Sequence, residues 1–206
     1  MSKPNIPSFE RRSFSVELRM DGEDEEGKKP TMRGHAAVFD SPSELMAGCF
    51  REIIRPGAFS GAFSNYDTRA LFNHNPDNIL GRSSSGTLRM KEDEAGLAIE
   101  IDPPETRCGQ DLKISMSRGD IREMSFGFTV AEDGDEWTRD PDDSGNWTRT
   151  ISKFERIYDV SPVTYPAYPQ TDLALRSLDS LRAKETPPID EIFARRLRLD
   201  LEAALL

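Results

Sequence analysis

The stretch GTLRMKEDEAGLAIEID (Gly86–Asp102) decides the fold class. Leu88 and Met90 alternate with polar residues on its first arm, and Leu97, Ile99 and Ile101 do so on its second. An acidic, glycine-bearing turn lies between them. A period of two is what a strand with one buried face requires, so two such runs around a short polar turn predict an antiparallel hairpin. A helix would need apolar residues three and four apart.

The same period recurs outward from this hairpin. SFSVELRM (Ser13–Met20) alternates Phe14, Val16 and Leu18 with polar residues, and TMRGHAAVFD (Thr31–Asp40) returns as a second strand after the charged connection Asp21–Pro30. REIIRPGAFSGAFSN (Arg51–Asn65) predicts a turn at Pro56-Gly57 and a short helix through Ala58, Phe59, Ala62 and Phe63. TRALFNHN predicts a strand ending at His74, and NILGR another short one.

On the other side of the hairpin, Thr106 is a plausible N-cap for a helix carrying Leu112, Ile114 and Met116, with Gly119 as its stop. IREMSFGFTV (Ile121–Val130) predicts a strand with Phe126 and Phe128 on one face and Ser125 and Gly127 on the other. The acidic run Ala131–Thr150 reads as an exposed hairpin tip or mobile loop. TISKFERIYDVSPVTYPAYP (Thr150–Pro169) predicts a long final strand that ends in a Pro-rich turn. Beyond it, TDLALRSLDSLRAK and IDEIFARRLRLDLEAALL both have helical periodicity, with ETPP between them. About eight strands and three or four helices predict an α+β chain, mainly β: an antiparallel β-barrel flanked by helices, with a helical C-terminal tail.

The bulk numbers narrow the function. A chain of 206 residues with net charge −10 suits one main domain plus a tail. The acidic balance argues against nucleic-acid binding, because phosphate contacts need clustered Lys and Arg, and only RRLR (Arg195–Arg198) clusters here. No apolar run approaches the roughly 18 residues of a membrane helix. MSKPNIPSFERRSF lacks the apolar core of a secretory signal, so the expected compartment is a reducing cytoplasm. Cys49 and Cys108 lie far apart without a ligand pattern, so neither a disulfide nor a metal site is expected.

A nucleophilic hydrolase needs a nucleophile, a base to take its proton and a group that orients the base. The chain has two histidines. His35 sits inside a predicted strand among small apolar residues and reads as a structural or surface histidine. His74, at a strand end, is either a catalytic base or a surface histidine in a polar turn. Ser125 lies between Met124 and Phe126, with Gly127 leaving space on its face. It is either a nucleophile or a small core residue. Asp159, beside Ile157 and Val160, is an orienting carboxylate or an edge carboxylate facing solvent; Asp77 and Asp120 compete for the same role.

An ordered set of motifs resolves these alternatives in one direction. GHAAVF, REIIRPGAF, ALFNHNPDNILGR, GTLRM, GLAIEIDPP, GDIREMSFGFTV and YDVSPVTYPAYPQT occur in the order seen in caudovirus prohead serine proteases, the maturation proteases of tailed phages. The resemblance spans roughly residues 14–176. It implies a fold similar to the herpesvirus assemblins. It also implies that Ser125 is the nucleophile, His74 the base and Asp159 the third member. Relatives often carry Glu at that third position, and Asp is one methylene shorter, so its reach to His74 is the point a structure must answer. Assemblin-like enzymes can use a second histidine there, but His35 does not match in position. The turn around Tyr165–Ala167 is a candidate for holding the oxyanion.

The resemblance further implies no cofactor and no metal. The implied substrate and partner is the major capsid protein precursor with its scaffolding segment, inside the immature prohead in the host cytoplasm, and a homodimer or oligomer is a further partner expectation. The domains expected are a flexible N-terminus (1–12), a protease domain (13–176) and a helical tail (177–206) open to self-cleavage in the linker RAKETPPIDE. The terminal helix is either a docking or oligomer helix or one that packs on its own domain. A catalytically inactive relative that serves assembly is the alternative reading, and a β-barrel binding module with incidental His74 and Ser125 is a third.

Overall fold

A computed structural model describes residues 9–15, 18–21, 30–140, 145–165 and Leu178. Among the described residues there are twelve strands: β1 (Glu10–Ser15), β2 (Arg19–Asp21), β3 (Thr31–Val38), β4 (Phe50–Ile54), β5 (Arg69–Phe72), β6 (Asn75–Arg82), β7 (Leu88–Glu92), β8 (Gly96–Ile101), β9 (Glu123–Val130), β10 (Asp135–Arg139), β11 (Trp147–Ile151) and β12 (Phe154–Val163). A single α-helix, α1 (Arg107–Ser117), and a 3₁₀ turn at Ser83–Ser85 are the helical elements of this part.

Hydrogen bonding sorts the strands into three sheets, in the orders β1-β9-β12-β5-β6, β10-β11-β4 and β2-β3-β8-β7. The expected mainly β fold is present, but the antiparallel β-barrel flanked by helices is corrected: among the described residues the sheets are open and there is one α-helix element. Apart from Leu178, the expected helical C-terminal tail lies outside the described residues. Contacts divide the chain into two compact units, Met1–Gln170 and Thr171–Leu206. No helix among the described residues is long and apolar enough to cross a membrane.

The β7–β8 hairpin forms as predicted, with Leu88, Leu97, Ile99 and Ile101 buried. The Thr106 side chain accepts the Gly109 N–H at the start of α1, and Gly119 closes the helix end at φ 79°. Three expectations change. SFSVELRM is two strands, since β1 pairs with β9 while β2 pairs with β3 in another sheet. The segment from Pro56 to Asn65 is a series of turns rather than a helix, although Ala58, Phe59 and Ala62 are buried as its apolar content requires. The acidic run holds β10 and β11, and β11 pairs in parallel with β4; the tip at 141–144 lies outside the described residues.

Met124, Phe126 and Phe128 alternate along β9 into the core, where the Phe126, Phe128, Phe154 and Phe59 rings pack with centroids 4.7–5.8 Å apart. The opposite face of β9 is buried too, so Ser125 and Gly127 are held on a strand fixed from both sides. Its neighbour β1 is tied down by a buried ion cluster. Arg12 bonds Glu10 and Glu52, and Arg149 bonds Glu10, Glu52 and Asp135. This cluster joins the edge of the five-stranded sheet to β4, β10 and β11.

Burial pushes the Glu52 carboxyl up, but the Arg12 and Arg149 guanidiniums outweigh it and hold the group below its ordinary value of 4.5. A carboxyl depressed in this way stabilises the fold above its unfolded value, and that contribution disappears as pH falls through the folded value. The loss therefore falls below pH 4.5. Glu52→Ala leaves two buried guanidiniums short of a partner and should cost about 3–5 kcal/mol in denaturant unfolding at neutral pH. An unchanged unfolding midpoint would show the cluster to be energetically idle.

Candidate active site

The site is assembled by three neighbouring strands of the five-stranded sheet. β12 pairs antiparallel with β9 and parallel with β5, so Ser125 on β9 and Asp159 on β12 occupy adjacent central strands. Residues two apart share a face of a strand. The ladder sets Asp159 opposite Gly127 and Ser161 opposite Ser125, which puts these four on one face, away from the phenylalanine core.

His74 comes from the β5–β6 hairpin. Phe72 pairs with Asn75, leaving Asn73 and His74 as a two-residue loop with φ of 53° and 55°. Positive φ at both central positions is the primed turn that suits a tight hairpin, and Asn and His are among the non-glycine residues that enter this region most readily. Left-handed backbone costs on the order of 1–3 kcal/mol per residue, so the surroundings must enforce it. Asn73 does so. Its N–H donates to the Pro162 carbonyl at 3.0 Å, its Nδ2 donates to Thr164 Oγ1 at 3.0 Å, and its Oδ1 accepts the Thr164 N–H at 2.9 Å. The histidine-bearing turn is thereby clamped to the end of β12.

The side chains meet in sequence. His74 Nδ1 lies 2.5 Å from Asp159 Oδ1, and His74 Nε2 lies 2.7 Å from Ser125 Oγ. A carboxylate can only accept, so Nδ1 carries the proton and donates it to Asp159. Nε2 is then a bare acceptor for the Ser125 hydroxyl. The His74 and Asp159 side chains are 7% and 8% exposed, and Ser125 is fully buried. Water therefore competes little for these bonds. The shorter Asp does reach the imidazole.

Gly127 makes room for this arrangement. A Cβ there would stand 2.7 Å from Asp159 Oδ2 and 2.8 Å from the Phe9 ring, which meets Tyr158 edge-on. Gly127→Ala must therefore displace the carboxylate or the phenyl ring. Misplacing a catalytic group by about 1 Å can cost on the order of 10²-fold in rate. The variant should lose about that much in kcat while overpacking costs it about 1–3 kcal/mol of stability. Steady-state assays beside thermal melts check both numbers, and full activity would mean that the Asp159 position is not critical.

The competing residues go elsewhere. His35 Nε2 is 3.0 Å from Asp93 at the β7–β8 turn, the Asp77 N–H donates to Asn75 Oδ1, and Asp120 pairs with Arg118 on the surface. Among the described residues no group of three or more His, Cys, Asp or Glu side chains gathers where a metal ion could sit. Tyr165 is exposed just past β12, while residues 166 and 167 of the expected oxyanion turn lie outside the described residues. Sequence reasoning missed Ser161, buried beside Asp159, and the Asn73 clamp. The DVS spacing puts the first on the face of Asp159, and an Asn directly before the histidine is a signal for left-handed turn backbone.

A hydroxyl, an imidazole and a carboxylate in one hydrogen-bonded line on a β-scaffold form the constellation of a serine hydrolase. The family described as Caudovirus prohead serine protease matches residues 15–184. The "Prohead protease" of Enterobacteria phage HK97 is 30% identical over 172 residues, which cover 81% of this chain and 68% of that relative. The chain belongs to the caudovirus prohead serine protease family, and is a serine peptidase of phage prohead maturation. No solved structure matches it.

Proposed function

We propose that this peptidase cleaves through Ser125, with His74 as base and Asp159 as the residue that orients it. The observation that carries the reading is the continuous line from Asp159 through His74 to Ser125, 2.5 Å and 2.7 Å long. Ser125 Oγ attacks the scissile carbonyl carbon while its proton passes to His74 Nε2. The imidazolium, held by Asp159, returns that proton to the leaving amine, and an acyl ester remains on Ser125. Water then loses a proton to His74, attacks the ester and frees the serine. Donors to the developing oxyanion would add on the order of 10²-fold or more. Ser125 is fully buried, so a scissile carbonyl reaches its hydroxyl only after local opening.

The substrate class we propose is the scaffolding segment of the capsid protein precursor, cut inside the immature prohead within the host cell. We place the protease domain at residues 13–176, of assemblin-like fold. β1 already begins at Glu10, ahead of that boundary. Self-cleavage in RAKETPPIDE (Arg182–Glu191), an exposed type of linker, is proposed to release the part of the 177–206 tail that follows the cut. Co-expression of the full chain with its cognate capsid precursor tests the function. The wild type should trim the precursor, and Ser125→Ala should leave it whole in shells that still assemble. Trimming that continues with Ser125→Ala returns the chain to the reading of an idle assembly relative, with another protease doing the cutting.

A further inference from the structure

Asp159 Oδ1 accepts two hydrogen bonds. One comes from His74 Nδ1 at 2.5 Å; the other comes from the Ser161 hydroxyl at 2.7 Å. Ser161 is fully buried, lies two residues along β12 on the same face, and is directly opposite Ser125 in the β9–β12 ladder. A serine buried at such a position could be a mere space-filler, and alanine would then serve equally well. Its hydroxyl, however, is aimed at the oxygen that meets the imidazole.

A carboxylate turns freely about its last bond, and either oxygen could face the histidine. Two features remove that freedom. Oδ2 is directed to the space left by Gly127, under Phe9, where no Cβ fits. Oδ1 is held by a hydroxyl whose own backbone is locked in the ladder. With Oδ1 fixed, His74 keeps its proton on Nδ1 and its ring plane set toward Ser125. Building on the proposed Ser125, His74 and Asp159 roles, we infer that Ser161 is a positioning residue for the hydrolysis: its hydroxyl fixes the Asp159 carboxylate against His74.

A hydrogen bond to a charged group is worth on the order of ten- to a hundredfold in an equilibrium or rate. Ser161→Ala should therefore lower kcat for the capsid precursor by about ten- to a hundredfold, with KM within about twofold of wild type, because nothing that holds the substrate changes. Packing loss alone does not predict such a split. A double-mutant cycle makes the distinction sharp. In an Asp159→Ala background there is no carboxylate to hold, so Ser161→Ala should cost nothing further, within about twofold. The rate of Ser125 phosphorylation by diisopropyl fluorophosphate, with loss of fluoride, gives a second readout that needs no substrate binding.

Ser161→Cys keeps a weak donor in nearly the same volume and should fall between wild type and Ser161→Ala. If the alanine variant does not fold, the cysteine variant carries the cycle. The proposal is overturned if Ser161→Ala turns over like wild type, or if its loss repeats in full when Asp159 is already alanine. A Ser125→Ala control separates this failure from that of the underlying reading: trimming that survives there removes the catalytic assignment and this proposal with it.

Discussion

Ser125→Ala is expected to lower turnover of the capsid precursor by about 10⁶-fold, and His74→Ala by a comparable factor. The reason is that the two act as one unit. Without the hydroxyl there is no nucleophile to activate; without the imidazole the buried hydroxyl has no acceptor for its proton, since its recorded partner is His74 Nε2. The double variant should be no worse than either single one, because each alone already breaks the relay. Fragment release followed by quantitative mass spectrometry over long incubations reads losses of this size. A loss of a fewfold from either change would mean that the nucleophile lies elsewhere.

The second large effect belongs to Asp159→Asn, with a loss of about 10⁴-fold in kcat. Asparagine preserves the shape of the side chain and presents an amide donor as well as an acceptor. With its NH₂ group in the Oδ1 position, one hydrogen faces the imidazole and the other faces the Ser161 oxygen, which then accepts instead of donating. Donating to Nδ1, the amide drives the ring proton to Nε2, where it points at the Ser125 oxygen and blocks transfer. The fold should hold, since no charge partner other than the imidazole is lost and volume is unchanged. Wild-type turnover in this variant would reassign the third role, and thermal melts alongside the rate measurement confirm that the fold is intact.

Much of this arrangement was legible in the chain. The period-two arms of the β7–β8 hairpin, the Thr106 cap, the Gly119 stop and the two faces of β9 follow from local pattern, because burial on one side of a regular element leaves a periodic trace. His74, Ser125 and Asp159 were reached through residue chemistry and the order of motifs, and they meet in space.

What escaped is non-local or polar. SFSVELRM reads as one strand because alternation carries no sign that the chain leaves one sheet for another. The acidic run reads as an exposed hairpin tip or mobile loop; β10 and β11 do form a hairpin, but Asp135 and Arg149 do not face solvent as their polarity suggests. They are interior partners in the cluster with Glu10, Arg12 and Glu52, and the parallel pairing of β11 with β4 cannot be read from either strand alone. The barrel was inferred from strand number, but closure depends on edge pairing, and the described edges do not join. In the site, TRALFNHN reads as a strand that ends at His74, and hydrophobic period carries no sign of the left-handed backbone at Asn73 and His74. Ser161 was hidden by the ordinariness of a serine.

The central claim is that Ser125 is the nucleophile activated by His74. Its most direct test is to treat the full chain with diisopropyl fluorophosphate and locate the adduct by tandem mass spectrometry. The account predicts a single diisopropylphosphorylated peptide carrying Ser125, with labelling lost in His74→Ala. An adduct on another serine, or undiminished labelling of Ser125 in His74→Ala, would contradict it.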